Sequence, residues 1–236
     1  MLSFKKFIEE KLSLEYHDEL NPLLWKGFNL RNPVKRKLLE LAGEWQKFAK
    51  IPDNVVTDII FTGGNANFNY TNFSDIDVHI IIDKNSIFPD KEFLDDYLKD
   101  KKLLWSLIRK NKVKGYSVEF YAQDINETLI ASSMFSLKHN KWIKKPVHGA
   151  YSFENEDLVK KVQDYKDMID IFIKQDMDIE DFELIKEKLR LLRKESLDDG
   201  GEFSEGNLIF KVLRNDGYLD KINNYVNALK DRKLSL

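Results

Sequence analysis

A glycine pair, Gly63-Gly64, is separated by ten residues from the segment 75–78, where Asp75 and Asp77 alternate with apolar residues. An apolar run ends just before the glycines, and the alternation continues to residue 82. Because successive side chains of a strand point to opposite faces, this pattern predicts two strands, with both aspartates on one face and the apolar residues in a core. Two strands connected through a glycine turn are the strongest constraint on the fold of this chain.

The two carboxylates also constrain the chemistry. Like charges side by side repel each other unless a cation lies between them. Oxygen-only ligands suit Mg²⁺ and the phosphates that it carries. Since a glycine turn lets the backbone approach a phosphate closely, Gly63, Gly64, Asp75 and Asp77 together predict metal-assisted nucleotidyl transfer.

The chain has 236 residues, a formal net charge of -2 and no cysteine. This length allows one domain or two small ones with a proper core. The lack of cysteine excludes disulfides and thiolate metal sites and is typical of a reducing compartment, so a cytoplasmic protein is expected. No apolar run approaches about 20 residues, so no membrane span is expected. The mild acidity argues against an extended DNA track.

Hydrophobic periodicity predicts three parts: a helical N-terminal arm (1–32), a catalytic core (33–150) and a helical C-terminal domain (151–236). In the arm, a helix is predicted over residues 3–15. Asn32 is interpreted as the N-cap of the next helix, with Pro33 at its first position. The other predicted helices are 91–110, 156–175, 179–197 and 204–231. The predicted strands are 55–61, 75–83 and 116–122, followed by an extended piece at 132–144.

Two-metal transfer requires a third carboxylate, which we expect on a neighbouring strand and on the same face. Glu119 fits because it alternates with apolar residues inside a strand, where a charged group needs a partner. Asp124 and Glu127 are rivals that follow this strand. Asp83 is disfavoured because it lies about 20 Å from Asp77, at about 3.3 Å per residue of strand.

The glycine pair, the ten-residue spacer and the alternating segment resemble the signature of the DNA polymerase β-like nucleotidyltransferase superfamily. The segments 20–25 and 207–211 and the asparagines of the spacer resemble small nucleotidyltransferases encoded by tailed bacteriophages. The superfamily resemblance implies an α/β (α+β) fold, in which a mixed-sheet core is followed by a helical C-terminal domain that closes over the nucleotide.

The resemblance also implies roles for individual residues. Asp75, Asp77 and Glu119 would be catalytic and would bind two Mg²⁺ or Mn²⁺ ions. Gly63 and Gly64 would contact the triphosphate of the NTP substrate.

Further candidates have structural alternatives. Asn65 is a candidate nucleotide contact. Lys211, three residues before Arg214, is a candidate ligand of the β- and γ-phosphates, with a solvated helix face as the alternative. His79 shares the face of the aspartates and is interpreted as a structural, hydrogen-bonded histidine, with contact to substrate or orientation of a carboxylate as the alternative. The basic stretch 99–114 is interpreted as a solvated helix face, with a local nucleic-acid contact as the alternative.

Together these observations predict a nucleotidyltransferase that moves NMP from an NTP to a hydroxyl acceptor and releases pyrophosphate. The acceptor is left open between a protein side chain, an RNA end, a small molecule and another nucleotide. The alternative function is a non-catalytic module that binds nucleotide or protein on the same fold.

Overall fold

The computed structural model describes residues 16–129, 131–148 and 156–234, which contain eight strands and six α-helices. The helix predicted over residues 3–15 lies outside them. The strands are β1 (Trp25–Lys26), β2 (Asn29–Leu30), β3 (Val56–Thr62), β4 (Ile76–Ile82), β5 (Lys112–Val113), β6 (Tyr116–Asp124), β7 (Met134–Ser136) and β8 (Lys141–Lys144). The helices are α1 (Asn32–Phe48), α2 (Lys91–Ile108), α3 (Glu156–Lys174), α4 (Ile179–Gly200), α5 (Glu205–Asn215) and α6 (Tyr218–Leu234).

The chain divides into two compact units. One unit, Glu15–His148, holds all the described strands together with α1 and α2. The other unit includes Gly149–Leu236 and holds helices α3 to α6. None of the helices in the described part of the chain is long and apolar enough to cross a membrane.

Six strands of the first unit form a mixed sheet in the order β5-β6-β4-β3-β7-β8. Strands β4 and β6 are parallel, and the other neighbours are antiparallel. Helix α2 lies between β4 and β6 in the sequence, which gives the parallel pair the crossover that it needs. The mixed sheet with its helices confirms the predicted α/β (α+β) fold class.

The core of the first unit lies on the apolar face of β4. Ile76, Val78, Ile80 and Ile82 are fully buried, which confirms the alternation predicted from the sequence. Helices α1 and α2 bury their apolar stripes in the same cluster. In that cluster the ring of Trp45 stacks on a phenylalanine of β6 at 6.0 Å between centroids. The opposite face of β4 is left for polar side chains.

Helix α1 begins one residue earlier than predicted. Arg31 is its N-cap, and no side chain caps the helix, so the prediction of Asn32 as N-cap is wrong. Asn32 and Pro33 both lie in the first turn. Proline is tolerated there because the first N–H groups of a helix have no partner within it.

The second unit is a set of packed helices. Phe182 of α4 lies 6.1 Å from the ring of Phe172 in α3 and 5.2 Å from the ring of Tyr225 in α6. The helix predicted over residues 204–231 is two helices, because the chain turns at Gly217, whose φ is +77°. A glycine with positive φ is a common helix C-terminal signal, which the apolar periodicity on either side obscured.

The segment before α1 supports the glycine turn. Trp25 is fully buried and stacks on Trp142 at 4.8 Å between centroids. Its Nε1 donates a 2.8 Å hydrogen bond to the backbone oxygen of Asn65. The segment therefore holds the turn through both packing and a buried hydrogen bond.

Trp25→Ala is expected to lower the free energy of unfolding by about 3–5 kcal/mol, because it leaves a large cavity under the turn. Urea unfolding of the full chain measures the loss. Leu23→Ala is the matched control, since Leu23 is 52% exposed and its truncation removes little buried area. Equal destabilisation by the two changes would contradict the supporting role of Trp25.

Candidate active site

The glycine turn follows β3 directly and packs against an aspartate of β4. Gly63 has φ +83°, a left-handed conformation that side chains with a Cβ rarely adopt. A Cβ at this position would lie 2.1 Å from Oδ2 of Asp77. Thr62, the last residue of β3, is the register partner of Asp77, and the 3₁₀ turn Gly64–Ala66 follows. Glycine is therefore required at position 63 both for the backbone conformation and for the close approach of Asp77.

Asn65 is the internal brace of the spacer. Its side-chain amide donates to the backbone oxygens of Ser74 and Asp75, both at 3.1 Å. Its Oδ1 accepts a 2.8 Å hydrogen bond from Nδ2 of Asn21. The residue has no exposed surface. The structure thus gives Asn65 a positioning role for the turn and for the entry into β4.

The three predicted carboxylates come from two adjacent strands. Asp75 immediately precedes β4, Asp77 lies on it, and Glu119 of β6 is the direct parallel partner of Asp77. All three are partly exposed, in contrast to Ile76 and Val78, which alternate with the aspartates and are buried. The register therefore brings Glu119 beside Asp77, as the sequence predicted.

Glu119 has two partners that the sequence analysis missed. Its Oε2 accepts a 2.6 Å hydrogen bond from the hydroxyl of Tyr121 and a 3.0 Å one from Nζ of Lys102. The same ammonium lies 3.5 Å from the centroid of the Tyr121 ring. Burial, followed by the negative charges of Asp77 and Glu119, raises the pKa of Tyr121 well above its usual value, so its hydroxyl stays a donor.

The two missed residues differ in how visible they are from the sequence. Tyr121 lies two residues after Glu119 on the same strand and therefore on the same face, so face periodicity could have found it. Lys102 lies on α2, 17 residues before Glu119, among other exposed lysines. No sequence pattern distinguishes it from them.

His79 is a structural member of the polar face. Its ring stacks on Tyr121 at 4.7 Å between centroids, and its Nδ1 lies 2.8 Å from Oε1 of Gln123. Burial lowers the pKa of His79 against the opposing effect of this hydrogen bond. The imidazole is therefore neutral at pH 7, with Nδ1–H donating to Gln123.

The rival carboxylates have structural roles at the other end of the strands. Asp83 caps a 3₁₀ turn by accepting from a backbone N–H at 3.1 Å. Asp124 is buried and accepts from the backbone N–H of Asn126 at 2.9 Å. Glu127 pairs with Lys84 at 2.9 Å. These contacts account for all three carboxylates without a catalytic role.

The carboxylate set fits a hard divalent cation in its chemistry, because it offers only oxygen donors. Across residues 16–129, 131–148 and 156–234, however, no three acidic or histidine side chains are gathered closely enough to hold one ion. Asp75 and Asp77 lie on one face of β4, while the carboxylate of Glu119 is bound by Lys102 and Tyr121. A cation that binds this third donor therefore competes with the ammonium of Lys102 for the Glu119 carboxylate.

Lys211 lies on α5 of the second unit, between the buried residues Ile209 and Val212. Its own side chain is partly exposed, as is that of Arg214 one helical turn later. Its contact with phosphate stays a prediction.

No family model matches this chain, and no curated protein matches it. Among solved structures, the chain is similar to three bacterial proteins at low identity. The CdnE cyclic dinucleotide synthase of Elizabethkingia meningoseptica with GTP and Apcpp is 17% identical at a TM-score of 0.30, covering 95% of this chain and 89% of that one. The STING-associated CdnE c-di-GMP synthase from Capnocytophaga granulosa is 13% identical at a TM-score of 0.23, and the similarity covers 86% of this chain and 84% of that one. A chain of the E. coli MS115-1 CdnC:HORMA-deltaN complex is 18% identical at a TM-score of 0.25. The similarity covers 79% of this chain and 61% of that one.

Proposed function

We propose that this protein is a metal-dependent nucleotidyltransferase, which moves NMP from an NTP to a hydroxyl acceptor and releases pyrophosphate. One observation carries the proposal. The β4–β6 register and the close packing of Gly63 bring two carboxylates, Asp77 and Glu119, to the glycine turn. Backbone N–H groups of a glycine turn beside carboxylates are suited to holding a triphosphate and its counter-ions.

Each residue has a definite task in this proposal. Asp75, Asp77 and Glu119 hold Mg²⁺ or Mn²⁺, and the backbone of Gly63 and Gly64 contacts the triphosphate. Two bound ions would activate the attacking oxygen and neutralise the leaving pyrophosphate. The chain itself supplies position, because Gly63 fixes Asp77 by direct packing.

Three further residues complete the arrangement. Asn65 braces the turn from within the core. Lys102 neutralises Glu119 before the cation arrives, since its ammonium donates to that carboxylate at 3.0 Å. We propose that Lys211 of the second unit contacts the β- and γ-phosphates, as a cation on a partly exposed helix position can.

The alternative function is a binding module without turnover. One observation favours it: the third carboxylate is occupied by Lys102 and Tyr121. A carboxylate held permanently in this way would leave only Asp75 and Asp77 for a cation, which is enough for nucleotide binding but short of two-metal chemistry.

Label transfer separates the two functions. Each of the four α-labelled NTPs is incubated with the full chain, Mg²⁺ or Mn²⁺, bacterial lysate and RNA, and label is followed into protein, RNA and small-molecule fractions. Catalysis predicts label in one fraction together with pyrophosphate release. Metal-dependent NTP binding with no label in any fraction would support the binding module instead.

Glu119→Gln is expected to lower the transfer rate at least about 100-fold, because it removes one charge from the metal ligands at nearly constant shape. The initial rate of label transfer measures the effect. Glu127→Gln is the matched control, since it makes the same chemical change at a glutamate that pairs with Lys84. Full activity of Glu119→Gln with an inactive Asp124→Asn would show that the third ligand is misassigned.

A further inference from the structure

A cavity of about 570 Å³ opens beside the carboxylates, within the first unit. Its walls come from the C-terminal half of α2 and the following turn, from residues 117–120 of β6 and from Asp75. We call it the basic cavity. Its lining residues that carry the argument are Lys99, Lys102, Trp105, Arg109, Lys110, Asn111, Lys112, Asp75 and Glu119.

The lining is strongly cationic in a chain whose net charge is -2. Five lysine and arginine side chains face two carboxylates, Asp75 and Glu119, so the lining carries a formal excess of three positive charges. Lys102 and Glu119 form a salt bridge of 3.0 Å, so these two opposite charges neutralise each other. Lys99 and Arg109 have acidic neighbours outside the lining, at 3.2 and 4.0 Å. A concave site with this excess attracts anions.

Two buried donors in the lining have no acceptor. Among the described residues, neither Nε1 of Trp105 nor Nδ2 of Asn111 has a hydrogen-bond partner. Trp105 is only 5% exposed, so its indole N–H is also poorly placed for bulk water. Buried donors in folded proteins are nearly always satisfied. Nε1 of Trp45, outside the cavity, also has no partner among the described residues, but the donors of Trp105 and Asn111 share the lining of one cavity. A ligand that brings acceptor oxygens would satisfy them.

Apolar groups complete the wall. Leu103 is well exposed beside the cavity, whereas Phe120 of β6 also borders it but is almost fully buried. The volume lies within the range of about 300–1,000 Å³ that is typical of small-ligand sites and is too small for a nucleic-acid duplex. A ligand with one flat apolar part and an anionic part, which is the chemistry of a single nucleotide unit, matches these features.

We propose that the basic cavity binds the phosphate-bearing acceptor of the transfer, one nucleotide unit in size. This inference rests on the proposed function, and it names the acceptor class that the function left open. Asp75 and Glu119 line both the cavity and the catalytic face, so a ligand in the cavity reaches the reacting centre. A free nucleotide and a phosphorylated RNA end would both present a base and a phosphate group to this cavity.

The transfer balances as a substitution at the α-phosphorus. The acceptor hydroxyl oxygen forms the new bond to this phosphorus, and its proton passes to water. The bond from the α-phosphorus to the bridging oxygen breaks, and pyrophosphate leaves with the electron pair. Lys110 and Lys112 bind the acceptor phosphate and take no part in these bonds.

Binding in the presence of EDTA tests the cavity apart from the donor site. The probes are guanosine 5′-monophosphate and adenosine 5′-monophosphate against their nucleosides, and a short 5′-phosphorylated RNA against its 5′-hydroxyl form. Lys110→Gln/Lys112→Gln is expected to weaken binding of the phosphorylated probe at least about tenfold, because charge-assisted bonds are lost. Both lysines are exposed, so the fold is unaffected.

Arg36→Gln/Lys47→Gln is the control, since it removes the same charge from exposed positions of α1. We expect its affinity to stay within about twofold of the wild type. Equal affinity of the cavity variant and the control overturns the proposal, as does a wild type that binds phosphorylated and unphosphorylated probes alike. Preference for the mononucleotide or for the RNA identifies the source of the phosphate.

Kinetics distinguish failure of this inference from failure of the proposed function. The cavity variant should raise the KM of the acceptor and leave the KM of the donor NTP unchanged. If the variant raises the KM of the donor NTP and leaves the KM of the acceptor unchanged, the cavity assignment is overturned, but the proposed nucleotidyltransferase function is not. Phosphate-dependent binding without any label transfer overturns the enzyme, and with it the acceptor role of the cavity.

Discussion

Asp75→Asn/Asp77→Asn is expected to lower label transfer at least about 1,000-fold, which corresponds to about 4 kcal/mol of transition-state stabilisation. The double change removes two negative charges from the ligand set at constant shape. Both side chains are partly exposed and neither belongs to the hydrophobic core, so the fold should persist. Initial rates measure the loss, and thermal unfolding of the same samples verifies the fold.

Asp83→Asn is the matched control for this experiment. It makes the same chemical change just after the end of β4, where Asp83 caps its own 3₁₀ turn. We expect transfer close to that of the wild type. Near-wild-type turnover of the double variant would remove the metal assignment and the proposed function with it.

Gly63→Ala is expected to reduce both transfer and stability. The positive φ alone costs about 1–2 kcal/mol with an alanine. The added Cβ would also lie 2.1 Å from Oδ2 of Asp77, so the carboxylate must move away from the turn. We therefore expect a loss of transfer that approaches that of the Asp75→Asn/Asp77→Asn variant, measured as initial rate, together with a lower urea midpoint.

Gly115→Ala separates strain from displacement. Gly115 has φ +93°, and a Cβ there would meet nothing within 4 Å. It therefore reproduces the backbone penalty without the clash. If Gly63→Ala and Gly115→Ala lose the same stability and both keep full transfer, the packing of Gly63 on Asp77 has no catalytic meaning.

The central strands could be predicted because alternation is a strong local signal. Ile76, Val78 and Ile80 alternate with Asp77 and His79, and this period of two has no helical counterpart. The parallel pairing of β4 with β6 cannot be predicted from the sequence of either strand. Glu119 could still be placed beside the aspartates because it is a charged residue between the apolar residues Val118 and Phe120 of a strand.

The failures of the sequence analysis come from long-range and backbone effects. The hydrogen bond from Lys102 to Glu119 depends on how α2 packs on the sheet, which no local sequence pattern encodes. The division of the last predicted helix depends on one backbone torsion at Gly217. The N-cap of α1 shifted by one residue because Pro33 fits either of the first two positions.

The hydrogen bonds of Asn65 have a consequence for local unfolding. Asn21, Asn65 and the backbone carbonyl groups of the two residues before β4 form one hydrogen-bond network, which joins segments 44 residues apart. If the segment before α1 detaches, Oδ1 of Asn65 loses the hydrogen bond that it accepts from Asn21, and the turn is no longer held by that segment. The turn and that segment should therefore open as one cooperative unit in hydrogen exchange. A segment 44 residues before the turn in the sequence thus sets how often the backbone that we propose contacts phosphate is correctly ordered.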